Sequence, residues 1–373
     1  MSERLRTDEM VINMGPQHPS THGVLRLQVT TDGEIVAAVR PHIGYLHRCA
    51  EKIGENVDYQ QFTPYTDRMD YLAGMNCNHC YASAVERLMD IEVPERAEHL
   101  RVIVLELNRI ASHLVAIGTY GLDMGAMTPF FYCFRERERV LDLFEEICGA
   151  RLTYNYVRIG GVMADATPGW DRKVREFLDY FEPRVDEYNE LLSYNKIFIG
   201  RTASVGILPA DLAIAYGVTG PCLRASGVDW DIRRDEPYSI YDRFTFEVPV
   251  GRGEKGTTGD CWDRYWVRIQ EMRESARIVR QALDGLPEGP IMAEMGKTIK
   301  PAKGECYTRV ENPRGEMGFL VVSNGKNVAV RMKARAPSFS NISVLHEISH
   351  GAMIADLVAI VGSLDIVLGE IDR

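Results

Sequence analysis

No stretch of this 373-residue chain approaches the roughly 18 consecutive apolar residues that a membrane-spanning helix requires. The best candidate, 357–364, is bounded by Asp356 and Asp365. Positive charge is also short. With 43 Lys and Arg against 53 Asp and Glu, the formal charge is −10, and an acidic chain offers no footprint for nucleic-acid phosphates. Any membrane contact must therefore be local. The opening residues, MSERLR, carry no apolar core of the kind that directs export. The 8 cysteines are scattered, not spaced as a disulfide framework, which fits a reducing compartment. No repeat, low-complexity tract or linker divides the chain, so the expectation is a cytoplasmic or equivalent location and one large unit.

What is present is an ordinary globular composition, 45% hydrophobic and 26% charged, sufficient to bury a full core. Residues 24–29 and 34–39 alternate apolar and polar around Asp32-Gly33, the pattern of a β-hairpin. Apolar residues then recur at helical spacing over 65–89, 94–119 and 128–147, with Pro94 and Pro129 suited to first turns. Three long helices in close succession imply antiparallel packing. Further helices are predicted over 170–192 and 260–283, with an aromatic, β-rich stretch at 238–250 between them. Strands are expected at 306–310, 318–322 and 328–332, separated by turns at Pro313-Arg-Gly and Asn324-Gly, followed by an apolar helix over 344–361. The fold class is α+β and helix-rich. Its single domain divides into an N-terminal β-hairpin element (1–43), a mainly helical core (44–304) and C-terminal strands with a helix (305–373).

Three motifs carry possible chemistry and must be weighed against context. His346-Glu-Ile-Ser-His350 fits H-E-x-x-H, which sets two imidazoles one helical turn apart with a Glu as general base for zinc peptidase chemistry. Its extension fails, because Met353 stands where the longer zinc pattern needs Gly. A zinc metallopeptidase is therefore the alternative enzyme reading. Gly251-Arg-Gly-Glu-Lys-Gly256 matches G-x-G-x-x-G, but the stretch around Gly285 supplies no second apolar strand, so the βαβ context is missing and a solvated loop is expected. Cys77-Asn-His-Cys80 is a lone Cys-x-x-Cys and reads as two helix-face thiols.

A fourth segment is more telling. In GPQHPSTHG, at 15–23, two Gly and two Pro break regular structure and leave His18 and His22 on a loop, where imidazoles become proton-donor candidates near neutral pH. Asp123 follows the uncharged stretch 111–122, and a carboxylate entering a desolvated place needs a partner or its pKa rises. Tyr71, expected at a helix start, would ordinarily be a core residue whose hydroxyl finds a local partner. Arg48 lies in an amphipathic helix start, where a surface ion pair with Glu51 or Glu55 is the plain expectation.

Taken in order, MGPQHPSTHGV (14–24), GYLHR (44–48), GLDMGAMTPFF (121–131), GDCWDRY (259–265) and GEIDR (369–373) resemble the hydrogenase-derived D-subunit family of respiratory complex I, the NADH:quinone oxidoreductases. The resemblance spans nearly the whole chain. RMDYLA (68–73) and SLDIVLGE (363–370) sit where nickel–iron hydrogenase large subunits carry two Cys-x-x-Cys pairs, and here the four ligand positions read Asp70, Ala73, Val367 and Glu370. Without soft thiolates no nickel is held there, so no metal is expected.

This resemblance implies a hydrogenase-large-subunit-like helical bundle with small β elements at each end. It also implies a quinone-site subunit, in which His22 and Tyr71 meet opposite sides of the quinone ring and Asp123 pairs with His22. His18 supports the quinone pocket. Arg48 lies near a tetranuclear 4Fe-4S cluster held by the partner small subunit, where a fixed cation favours the added electron. The implied partners are the iron–sulfur small (B) subunit, the C and I subunits and the membrane H subunit, at the cytoplasmic face of a bacterial inner membrane or the stromal face of a plastid. Quinone is implied as substrate, with no cofactor held by this chain alone. The rival to an enzyme subunit is a metal-free, non-catalytic scaffold.

Overall fold

The computed structural model describes residues 9–18, 21–296 and 298–373. Near the start of the chain, the predicted hairpin forms as Arg26–Asp32 paired antiparallel with Ile35–His42, Val29 opposite Val39. Leu25, Leu27, Val29 and Thr31 alternate inward and are buried, as a one-faced sheet requires. A further strand, Glu9–Met14, adds to the same sheet with Met14 opposite Leu27. The described residues 15–18 and 21–24 of the motif therefore lie between two paired strands. Gly15 makes that loop possible: its φ is 84°, and a Cβ there would lie 1.9 Å from the Leu25 carbonyl oxygen.

The helical body is built on Glu95–Asp123, which runs against Met127–Cys148 on one side and Cys261–Asp284 on another. Trp170–Tyr188 packs on the last two. From residue 97 to 121 the central helix is buried almost throughout, as a helix surrounded by other helices must be. Pro94 caps its start, where a missing N–H costs nothing.

Several expectations need correction. The helix predicted over 65–89 is two helices, Tyr59–Thr66 and Gly74–Met89, with an irregular segment at 67–73 between them. There the Asp70 carboxylate accepts a hydrogen bond from the Leu72 amide at 3.2 Å, a local alternative to helical pairing. Tyr71 therefore lies in a turn and does not begin a helix. The segment 238–250 contains no strand among the described residues, only the short turn Tyr241–Arg243. Its backbone is satisfied by helix side chains instead, with Gln281 accepting from the Thr245 amide and Glu274 from the Glu247 amide, both at 2.9 Å. The helix predicted over 344–361 is broken into Leu345–Ser349 and Ile354–Leu364, preceded by a further short helix, Pro337–Ser343. The break occurs because residues 351–354 bond to the first sheet, through Gly351 N to Val36 O and Ile354 N to Glu34 O, each 2.9 Å.

A second sheet forms from Gly304–Asn312, Gly315–Ser323 and Arg331–Arg335, the last of these three residues later than expected. The turn joining the first two strands, Pro313-Arg314, points inward, and Arg314 is fully buried.

Candidate functional site

His22 projects from the first loop with φ at 52°, in the left-handed region that His tolerates better than most residues. Its Nε2 lies 2.5 Å from Asp123 Oδ2. Asp123 is the last residue of Glu95–Asp123, where the helix dipole disfavours a carboxylate and favours a cation, so an imidazolium at this point answers both. Both side chains are largely withdrawn from solvent, at 20% and 10% exposure. Burial works against a charged imidazole, but the hydrogen bond and charge of Asp123, joined by the charge of Asp365, outweigh it and raise the His22 pKa. Gly362 of Ile354–Leu364 leaves room beside this pair, since a Cβ there would stand 3.0 Å from Asp123 Oδ2. The His18 carbonyl braces the turn before His22 by accepting from the Thr21 hydroxyl at 2.8 Å and amide at 3.1 Å.

Tyr71 is reached from the other end of the same C-terminal segment. Leu368–Asp372 is a short buried helix, and its first two residues face different parts of the site. The Leu368 side chain would lie 2.9 Å from a Cβ on Gly23, next to His22. At Gly369, a Cβ would be 3.2 Å from the Tyr71 ring and only 2.6 Å from the Met69 carbonyl. Glycine is thus required at 369 for steric reasons alone. Half-buried, Tyr71 has its phenol pKa raised chiefly by desolvation, with Arg314 and Arg48 pulling the other way.

Behind Tyr71 lies a buried charge cluster at the former ligand positions. Asp70 accepts from Arg314 Nη1 at 3.0 Å and Asn312 Nδ2 at 3.1 Å. The second Arg314 nitrogen reaches Asp365 Oδ1 at 3.3 Å, and Arg268 Nε is 3.5 Å from Asp365 Oδ2. Glu370 accepts from the Ser338 amide at 3.0 Å through Oε1, while its Oε2 is buried without a hydrogen-bond partner. Desolvation, with the neighbouring charge of Asp70, pushes the Glu370 pKa up to about 8. Sequence reasoning placed Asp70 and Glu370 at these positions but missed Arg314, whose Pro-Arg-Gly setting signals an exposed turn, and Asp365, which looked like the boundary of an apolar run.

Arg48 is exposed and does not pair with Glu51 or Glu55. Its Nη2 donates to the carbonyls of Arg68 at 2.6 Å and Gly369 at 3.3 Å, while Glu51 is engaged by Lys333 and Arg373. The guanidinium is thereby fixed at the rim of the segment that carries Tyr71. Next to it, Asp372 accepts from the amides of Gly44 and Leu46, both at 2.7 Å, tying the GYLHR motif to the end of the chain.

The other motifs are structural in their surroundings. His350 falls outside Leu345–Ser349, with Nδ1 2.9 Å from the Ala37 carbonyl, and His346 Nδ1 accepts from the Val39 amide at 3.3 Å. Both imidazoles are thus engaged through Nδ1 with the strand Ile35–His42. In the loop at 251–256, the Gly253 amide is already bonded to Asp263 at 2.9 Å and Gly251 is pressed against the Ala225 carbonyl, leaving no phosphate cradle. Cys77 and Cys80 are buried on one helix, and desolvation raises the Cys80 thiol to about 12, far from the thiolate a metal would need. Among the described residues no group of three or more His, Cys, Asp or Glu could hold a metal ion, and no helix is long and apolar enough to cross a membrane.

Residues 123–302 and 293–373 match the family described as Respiratory-chain NADH dehydrogenase, 49 Kd subunit. Similar curated proteins include the D subunit of NADH-quinone oxidoreductase from Chlorobium luteolum, 56% identical across 99% of this chain and 94% of that protein. The protein of the same name from Chlorobaculum tepidum is 55% identical across 99% and 93%. A further D subunit of NADH-quinone oxidoreductase, from Anaeromyxobacter sp. (strain K), is 55% identical across 99% and 97%.

Proposed function

The chain belongs to the respiratory-chain NADH dehydrogenase 49 Kd subunit family, and from that membership we propose that it supplies the protein groups that protonate quinone. The observation that carries this reading is the 2.5 Å His22–Asp123 pair, joined through consecutive residues Leu368 and Gly369 to the ring of Tyr71. Reducing a quinone to a quinol consumes two electrons and two protons, so two donors are needed within hydrogen-bonding reach. His22 gives one proton and Tyr71 the other. Asp123 orients the imidazole and balances its charge; when His22 gives up its proton, Asp123 is left without a cation.

Electrons come from a 4Fe-4S cluster on the small (B) subunit. Arg48, held by two backbone carbonyls, presents a fixed cation towards that partner. The C and I subunits and the membrane H subunit complete the surroundings, and the chain sits peripherally at the cytoplasmic face of the bacterial inner membrane. As a proposal the three sequence divisions, 1–43, 44–304 and 305–373, form one unit around this site.

The test is Tyr71→Phe and His22→Ala in the assembled complex. Quinone reductase activity should fall by about tenfold or more, the usual effect of removing a positioned proton donor. Electron entry read with an artificial acceptor upstream should stay near wild type. Wild-type quinone kinetics in both variants would overturn the assignment.

A further inference from the structure

Next to Arg48, residues 47–49 bring an imidazole and a thiol together. All eight cysteines lie among the described residues; five are buried, Cys148 and Cys306 are half-buried, and Cys49 alone is exposed. Its Sγ lies 3.7 Å from His47 Nε2, within the longer reach of hydrogen bonds to sulfur, and His47 Nδ1 lies 2.7 Å from the Asp372 carbonyl oxygen. These contacts fix the protons. A carbonyl oxygen only accepts, so Nδ1 carries a hydrogen; in the neutral ring Nε2 is then a bare lone pair, and the thiol donates to it. A nucleophile facing a base that a third group orients is the arrangement that activates sulfur for attack.

The pair lines a cavity of about 380 Å³, within the roughly 300–1,000 Å³ range of small-molecule sites. Charge decides what enters. Four cations, Lys52, Arg331, Lys333 and Arg373, line the cavity against two carboxylates, Glu51 and Asp372. The Asp372 carboxylate is already occupied by the Gly44 and Leu46 amides. Lys52 and Arg331 pair with Glu55, and Lys333 with Glu51, through cationic ends that stay open to solvent; such pairs are weak enough for an incoming carboxylate to exchange with them.

We propose that Cys49 is a reversible modification site: with His47 as base, its thiol exchanges with a low-molecular-weight disulfide whose carboxylates seat on the cations of the cavity. In the step His47 Nε2 takes the proton from Sγ, Sγ bonds to one sulfur of the incoming disulfide, and the S–S bond of that disulfide breaks. The proton passes from Nε2 to the departing thiolate. The Cys49 sulfur is oxidised and the departing sulfur reduced, so one disulfide is consumed, one mixed disulfide forms and one thiol leaves. Asp372 is a positioning residue, whose carbonyl keeps the imidazole in the tautomer that accepts. A second thiol reverses the exchange, as a transient disulfide in a reducing compartment requires. The buried cysteines are closed to the same attack, which needs access to sulfur.

The experiment treats the reduced, assembled complex with oxidised glutathione, each half of which carries two carboxylates, and follows the peptides of Cys49, Cys148 and Cys306 by mass spectrometry. Cys49 should gain the tripeptide about tenfold faster, or more, than either half-buried thiol. H47N keeps a donor for the Asp372 carbonyl and removes the acceptor facing Sγ, so it should slow the Cys49 reaction by about tenfold or more. Bis(2-hydroxyethyl) disulfide, which is uncharged, tests the cations: K333Q should slow oxidised glutathione severalfold and leave the uncharged reagent unaffected. Cys49 left unmodified in the complex, or modified no faster than Cys148 and Cys306, overturns the proposal, and so does H47N reacting at the wild-type rate. If K333Q slows neither reagent, or both equally, the carboxylate assignment is wrong. Should H47N fail to assemble, the uncharged reagent decides: wild-type Cys49 must outpace the thiol of an unstructured cysteine peptide, and a rate no higher than the peptide's overturns the role of His47.

Discussion

Replacing Asp123 by Asn tests the His22 pair most directly, because the amide keeps a hydrogen-bond acceptor near Nε2 and removes only the charge. The 2.5 Å contact between largely buried groups is a charge-assisted hydrogen bond. Such a bond contributes roughly 1.5–3 kcal/mol, against about 1 for a neutral one. Since about 1.4 kcal/mol is a factor of ten, losing the charge should cut the ratio of imidazolium to imidazole by about ten-fold at a fixed pH, and by more if the bond lies at the strong end of that range. Burial, the largest influence on His22, is then opposed only by the weaker bond to the amide and by the charge of Asp365. The sign follows: with its pKa raised in the folded protein, His22 is charged and the pair contributes fully below about pH 6.5, and that contribution is lost as the pH rises through the folded value. In the assembled complex, D123N should therefore approach wild-type quinone reduction at low pH and fall behind it near neutrality, so that its activity limb lies at lower pH than the wild type's. A D123N profile that overlays the wild type at every pH would refute the claim that Asp123 sets the charge of His22.

Other outcomes follow from the same structure. Gly369→Ala should destabilise the protein by about 1–3 kcal/mol, because its Cβ has no room beside the Met69 carbonyl; denaturant midpoints check this. A His346→Ala, His350→Ala double variant should leave metal content unchanged, since the two imidazoles serve the strand Ile35–His42; loss of stoichiometric zinc on mutation would revive the peptidase. Thr153 cannot titrate, so on the cluster placement proposed above Thr153→His should introduce a pH slope in the partner cluster's midpoint potential between about pH 6 and 8, measured by electron paramagnetic resonance. Should the wild type already show that slope, Asp67 is the first group to replace by Asn. Its carboxyl is buried, accepts from the Asn155 amide at 3.0 Å, and is pushed up to about 7 mainly by desolvation.

The long helices and the first hairpin were legible because their apolar residues recur at regular helical or strand periods. Failures fell where backbone partners come from distant chain. The 344–361 helix breaks because residues 351–354 pair with the first sheet, and 238–250 forgoes a strand because helix carboxamide and carboxylate groups serve its amides. No local pattern announces either event. At the site, His22, Tyr71, Asp123, His18 and Arg48 could be named through family likeness, but the His22–Asp123 contact spans 101 residues and nothing in the composition of either segment implies the other. Arg314 was hidden by its turn chemistry, which usually means solvent; here the turn is driven inward, with Gly220 packed so closely on Gly315 that a Cβ would lie 2.4 Å from its Cα.

The end of the chain, lodged between the His22 loop and the Tyr71 segment, has a kinetic consequence. His22 meets Asp123 across 101 residues, Asp70 meets Arg314 across 244, and Arg48 meets Gly369 across 321. Contacts of such separation form late, since long loops must close before the contacts reward them. A fragment lacking residues 365–373 loses Asp365, Gly369 and Glu370, and with them the packing beside Tyr71 and Gly23. The burial that shifts the site's acids and bases is complete only once this last segment has docked.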